Sequence, residues 1–227
     1  MAKKSIREIR REALSQAALD ALIQYGIRGT TLDRVAKLAG VTKGIVLHYY
    51  GDKDALFEGV QRKAYSLLRD CVSELLHQAD TPEERLYAVL VGNFASPVFH
   101  QQICHAWINL CADVPHNTQS QRIQTVVHAR IRSNLISALK DMIPADDVQR
   151  TATQITALID GVWLRASLQI DPMSGDDGLD LVDQAVMLLL KTDDAANDRF
   201  KVARRKIEHV ADIILNSKAF REKSMVR

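Results

Sequence analysis

Helical periodicity runs through almost the whole of this chain, and no segment alternates apolar and polar residues as a half-buried strand would. The breaks are few, because only five prolines and ten glycines are spread over 227 residues. Ser96-Pro97, Pro115-His116-Asn117, Pro144 and the stretch from Asp171-Pro172 to Gly178 read as turns. Between them the spacing predicts helices over about 5–25, 31–39, 42–50, 52–77, 82–94, 98–112, 118–142, 146–170, 178–191 and 195–217. The first sets Ile6, Ile9, Ala13, Ala17, Ala21 and Tyr25 on one stripe, with Gly26 as its stop. Thr30 or Thr31, Thr42 and Asp52 suit N-caps, and Thr81-Pro82-Glu83-Glu84 has the form of a capping box with proline at the first helical position. The fold class is all-α.

Apolar residues make up 47% of the chain, enough for a sizeable core. No run approaches the ~20 apolar residues that span a bilayer, so no membrane partner is expected. The start, Met-Ala-Lys-Lys-Ser-Ile-Arg-Glu, lacks the apolar stretch of a secretory signal. Three cysteines without CxxC spacing fit a reduced cytoplasm. The net charge of +2 hides an asymmetry. Residues 1–50 carry nine basic and four acidic side chains, a net +5, and the other 177 residues a net −3. A polyanion is the natural partner of such a positive end. No G-x-S-x-G, P-loop or strand-borne G-x-G-x-x-G is present, so no enzyme is expected. His100, Cys104, His105, Cys111 and His116 invite a metal reading, but they form no closed four-ligand spacing, and cysteine is a common small core residue. Neither a metal nor a cofactor is expected.

Residues 31–50 are the most informative. Two short helices crossing at a wide angle need a small residue at the crossing, met by Ala36, and a left-handed stop after the first, met by Gly40. Val35, Ala39, Val41, Val46 and Tyr49 fall where the pair would bury its inner face. This is a helix-turn-helix, with its second helix as reader. The basic first helix, Gly29-Thr30-Thr31, Ala39-Gly40-Val41-Thr42-Lys43-Gly44 and His48-Tyr49-Tyr50-Gly51-Asp52-Lys53 together resemble the N-terminal domain of the tetracycline-repressor-type (TetR) family. Leu47 departs from it, standing where most of the family carries a tyrosine that touches DNA. The resemblance and the residue chemistry place Gly44 at the DNA and assign base contacts to Leu47 (against a thymine methyl), His48 and Lys43, the last reaching guanine acceptors or simply a phosphate. They assign phosphate contacts to Thr31, Thr42, Tyr49 and Lys53. Lys3, Lys4, Arg7 and Arg11 would flank the duplex. Tyr49 as core, and Arg7 and Arg11 as plain solvated charges, are the competing readings.

The resemblance divides the chain into a helix-turn-helix domain (1–52), a helical effector-binding and dimerisation domain (53–191) and a C-terminal helical extension (192–227). It implies a homodimer on a palindromic double-stranded operator, with half-sites about 34–36 Å apart in the simplest arrangement. The pairing surface would lie on Val148, Ala152, Ile155, Ile159 and Val162, and on Leu181, Val182, Ala185, Val186 and Leu189, unless those helices are only intramolecular core. Asp160 and Arg165 sit on an otherwise apolar helix, where an ionised group needs a partner. Either Asp160 forms a salt bridge between helices or it balances a cationic ligand beside tryptophan rings. The blocks Val91-Gly92-Asn93-Phe94, Ala106-Trp107 and Leu158 to Ala166 look like the choline-responsive repressors of glycine-betaine synthesis within the family. That likeness implies an effector site of Asn93, Phe94, Trp107, Asp160 and Trp163, with choline or another cationic or aromatic small molecule as ligand. The last segment, with Arg199, Lys201, Arg204, Arg205 and Lys206, would extend the dimer interface, meet another partner or lie as a solvated amphipathic helix.

Overall fold

The computed structural model describes residues 5–170 and 173–220. Ten α-helices follow one another among them: α1 (Ile6–Gly29), α2 (Leu32–Leu38), α3 (Lys43–Tyr50), α4 (Lys53–Leu76), α5 (Pro82–Phe94), α6 (Gln101–Asp113), α7 (Thr118–Leu139), α8 (Ala145–Leu168), α9 (Gly175–Leu190) and α10 (Asp194–Leu215). A 3₁₀ turn, Val114–His116, joins α6 to α7. No strand occurs among the described residues, in agreement with the all-α reading. Lys3, Lys4, Asp171 and Pro172, singled out above, lie outside the described residues.

α1 opens on a capping box: Ser5 Oγ accepts from the Glu8 amide at 3.2 Å, and Glu8 Oε2 accepts from the Ser5 amide at 2.8 Å. Gly26, at φ 66° and ψ 178°, breaks it near its end. The expected stripe needs correction. The helix buries Leu14, Ala17, Ala18, Ala21 and Leu22, while Ile6, Ile9 and Tyr25 are 79%, 53% and 41% exposed. Its first two turns are left uncovered, so periodicity there marks an apolar stripe with nothing to pack on. Val35, Ala36 and Val46 are buried where α2 and α3 meet α1, and Gly40 turns the chain at φ 65°. Tyr50 is buried at the end of the inner face, and the expected Tyr49 is half-buried and packs against the same core. Tyr50 donates to the Arg11 carbonyl at 2.6 Å and shares a hydrogen bond with the Ser15 hydroxyl. Gly59 makes room for its ring, since a Cβ there would stand 2.9 Å from Tyr50 Cε1.

α4 begins at Asp52, whose carboxylate accepts from the Ala55 amide at 2.8 Å. It belongs to two cores. Leu56, Phe57 and Val60 close the N-terminal core with α1 to α3, whereas Cys71, Val72 and Leu75 enter the body's core. α5 is the body's central helix, buried from Leu86 through Phe94. A Cβ on Gly92 would lie 3.0 Å from the Val72 Cα, so glycine sets the close approach of α4 to α5.

Two further expectations are revised. α9 starts at Gly175 rather than 178, because Ser174 and Asp177 form a capping box that outweighs the low helix propensity of glycine. Gly178 is thus a packing position inside the helix, where a Cβ would meet Phe94 and Val162 at 3.0 and 3.1 Å. The other revision concerns α10, which is no solvated helix. Phe200, Ala203, Ile207, Ala211 and Leu215 are buried, and the helix packs on α5, α4 and α9 through contacts and ion pairs. Arg204 meets Asp183 at 2.8 Å and Glu208 at 2.7 Å and also bonds Asp180. Lys206 meets Asp80 and Glu84 at 2.8 and 2.7 Å, and Arg199 meets Glu83 at 3.2 Å. Glu84 therefore departs from the expected capping box: Thr81 caps its amide, but its own carboxylate turns to the Asp80 amide and Lys206.

Candidate functional sites: an exposed reader helix and a central cavity

On α3 the residues Lys43, Gly44, Leu47 and His48 recur one turn apart and all are exposed, a bare outward face. Thr42 caps the helix by position but makes no side-chain capping bond. Thr31, also exposed, accepts from the Arg34 amide at 3.3 Å. Lys43 Nζ rests 2.9 Å from Asp33 on α2, an exposed pair of the kind that contributes about 0–1 kcal/mol. Such a pair holds the ammonium near the helix start and yields readily to a stronger anion. His48 packs edge-on to Tyr49 at 5.2 Å between ring centroids, and Lys53 Nζ lies 5.2 Å from the Phe57 ring. Arg7 is exposed, and Arg11 stacks on Tyr50 at 4.7 Å. Lys43, Gly44, Leu47 and His48 thus share one short helix, Thr31 caps α2 and Lys53 opens α4.

The body holds a cavity of about 380 Å³ between α4, α6, α7 and α8. Tyr65, Trp107 and Trp163 form its aromatic wall, and Leu67, Leu68, Ile103, Val127, Ile131 and Ile159 its aliphatic one. Asn93, Gln124, His128 and Asp160 are polar lining groups, with Lys63 the lining ammonium. Gln16 and Leu19 of α1 also line it, so the cavity touches the N-terminal module directly. Four of the five expected effector residues meet here; Phe94 does not. Its ring lies 5.1 Å from Phe99, which stands 5.3 Å from Trp163, which in turn is 5.6 Å from Trp107. Phe94 is the buried far end of that aromatic ladder.

The inter-helix partner expected for Asp160 is a histidine of α7, and Arg165 is exposed. Asp160 faces His128 at 3.9 Å, too long for a hydrogen bond. Burial pushes the Asp160 carboxyl above the usual carboxylate range, with His128 pulling the other way. A chain of polar contacts leads on from that histidine. Gln124 Nε2 lies 2.7 Å from His128 Nε2, so the amide donates and the ring proton sits on Nδ1, toward Asp160. The Gln124 carbonyl accepts from the Tyr65 hydroxyl on α4, and Trp107 and Cys111 lie near the same phenol. Tyr65, Gln124 and His128 were missed by sequence reasoning; only the one-turn spacing of Gln124 and His128 hints at a pair. The Trp163 N–H is buried without a hydrogen-bond partner, a costly arrangement unless a ligand or water accepts it.

The tempting His/Cys constellation is not assembled. Cys104 is buried in the body's core, where desolvation pushes its thiol up to about 11, and burial beside Asp160 raises Cys111 to about 12. Among the described residues no three His, Cys, Asp or Glu side chains are placed to hold a metal ion. Nor is any helix among them long and apolar enough to cross a membrane.

A helix-turn-helix tied by one long helix to a cavity-bearing helical body defines a class, the DNA-binding regulators with a separate sensing domain. Comparison with known proteins narrows it. Residues 14–60 match the family described as bacterial regulatory proteins, tetR family, and residues 82–191 match the BetI-type transcriptional repressor, C-terminal. The HTH-type transcriptional regulator BetI of Escherichia coli (strain K12) is 36% identical over 175 residues, 76% of this chain and 90% of that protein. BetI of Shigella flexneri serotype 5b (strain 8401) gives the same figures, 36% identity over 76% of this chain and 90% of its own. Among solved structures, a transcriptional regulator from Rhodococcus sp. Rha1 superposes with a TM-score of 0.71 at 23% identity, over 80% of this chain and 96% of that one. A TetR transcription regulator from Haloarcula marismortui ATCC 43049 gives 0.70 at 20% identity, over 80% and 96%. The chain belongs to the TetR family, carries a BetI-type C-terminal domain, and is a DNA-binding transcriptional regulator rather than an enzyme.

Proposed function

We propose that this protein is a homodimeric cytoplasmic repressor of choline-uptake or glycine-betaine-synthesis genes, released from its operator by choline. One observation carries the effector assignment: Asp160 shares the cavity with Trp107, Trp163 and Tyr65. A quaternary ammonium has no N–H to donate, so it is held by aromatic faces and a nearby carboxylate. The orphaned Trp163 N–H would find its acceptor in the choline hydroxyl oxygen. Lys63 in the same lining favours a second reading, a zwitterion such as a betaine, whose carboxylate it would meet.

For pairing, the reading keeps Leu181 from the face expected from sequence and shifts the rest of it. Val148, Ala152, Ile155, Ile159, Val162, Val182 and Val186 are buried within the protomer. Leu164, Leu168, Leu181 and Leu188 of α8 and α9 are 44%, 52%, 51% and 80% exposed, and Gly161 has open space above it. That stripe would pack on its twin in the family's four-helix manner. Control would run through α4. A cation beside Asp160 holds it ionised and draws on His128, Gln124 and Tyr65, and α4 carries Tyr65 toward the reader. Such a ligand releases DNA only by favouring the spacing of reader helices that the operator does not fit. The test is a gel shift on DNA upstream of the neighbouring genes, titrated with choline, betaine and aromatic cations. Release by choline alone supports the first reading, release by betaine the second, and release by neither sinks both.

A further inference from the structure

The family match ends at residue 191, but the fold does not. α10 lies beyond it and is clamped to the body by the Arg204 and Lys206 ion pairs. The turn after it is fixed too: Ser217 Oγ donates to the Ile214 carbonyl at 2.7 Å and accepts from the Phe220 amide at 3.1 Å. Asn216 and Phe220 line the cavity, as do Pro97 and Val98 of the α5–α6 connection. Phe220 is only 4% exposed, while Asn216 is exposed.

We propose that residues 216–220 form a wall of the effector cavity, with Phe220 limiting the size of ligand admitted and Asn216 setting the charge it meets. The inference rests on the cavity being the effector site. A BetI-type domain ending near residue 191 would have no such wall, so this chain's ligand range is set partly by its own extension. An aromatic ring closing an apolar pocket discriminates by the volume it denies to a ligand, and one methylene in such a pocket is worth about 10- to 200-fold in selectivity.

The only two tryptophans, Trp107 and Trp163, both line the cavity, so intrinsic fluorescence reports its occupancy. Full-length protein would be titrated with tetramethylammonium and tetrabutylammonium, and separately with N-phenyl-1-naphthylamine, a bulky neutral probe that needs only an apolar pocket. Phe220→Ala should tighten tetrabutylammonium relative to tetramethylammonium by about tenfold and tighten the neutral probe similarly. Asn216→Asp, at an exposed position that spares the core, should tighten both cations several-fold and Asn216→Lys should weaken them. Operator binding confirms that each variant is folded. If no cation binds the parent protein, the choline reading fails and the neutral probe decides the wall by itself. Equal or weaker probe binding by Phe220→Ala, or an unchanged cation order where cations bind, overturns the proposal.

Discussion

The outward residues of α3 lie within one helix, whereas the cavity draws on α1, α4, α5, α6, α7, α8 and the turn after α10, from Gln16 to Phe220. The reader is polar, solvated and held in shape by local devices: Gly40 at its left-handed turn, caps at Thr31 and Asp52, and a buried tyrosine beneath. The cavity is held by long-range contacts, and burial pushes its Asp160 carboxyl and Tyr65 phenol above their ordinary values. Substitutions should separate the two. Losses at the reader touch DNA and leave the fold alone, while losses in the cavity mix binding with stability.

The largest effect should come from Trp163→Ala. This ring is 6% exposed and packed on Phe99 and Trp107, so truncation should cost about 3–5 kcal/mol and lower the melting temperature by about 10 °C. Trp107, only half-buried, is the cleaner probe of the cavity. Trp107→Ala should abolish the effector response with operator binding retained; a response that survives would remove the cavity from the mechanism.

Next comes the reader. Lys43→Ala should lose about 1–3 kcal/mol of discrimination between operator and random DNA, since its pairing with Asp33 contributes little. Lys53→Ala should weaken both DNAs alike and lower the salt slope by about 1. Equal losses on both DNAs for Lys43→Ala, seen in competition binding, would strip it of base readout.

Asp160→Asn should move two observables in opposite directions. The native carboxyl binds its proton more readily folded than unfolded, so stability falls as pH rises from the ordinary carboxylate range through the raised folded value. The amide has no such fall. The variant should therefore lose less stability than the parent as pH rises to neutral, yet bind a quaternary cation about tenfold more weakly, a stability–function trade-off. Cation affinity of the parent should also rise with pH over that window and stay flat in the variant. Matching pH profiles would exclude Asp160 as the counter-charge.

The smallest effect belongs to Tyr65→Phe, which removes only the phenolic link to Gln124, a bond of about 0.5–1.5 kcal/mol. Cation affinity by fluorescence should change little, but more cation should be needed to release DNA. Affinity and release falling together would place Tyr65 in the binding wall rather than in the path to α4.

The local features were legible in the sequence because each depends on neighbours a few residues away. Gly40 needs only its own backbone conformation, Asp52 only the amide three residues on, and Lys43, Leu47 and His48 only the rise of one helix. The helical class, the reader and the position of most helices follow from such terms. Tertiary structure alone decided which part of each apolar arc is covered. It uncovered Ile6 and Ile9, set Tyr50 deeper than Tyr49, and buried Val148 and Ile155 while leaving Leu164 and Leu188 bare. It also joined Tyr65, Gln124, His128 and Asp160 across three helices and turned the last segment back onto the cavity. Periodicity states that a helix has an apolar side; burial depends on which other surface arrives to cover it, and that is a property of the whole packed chain.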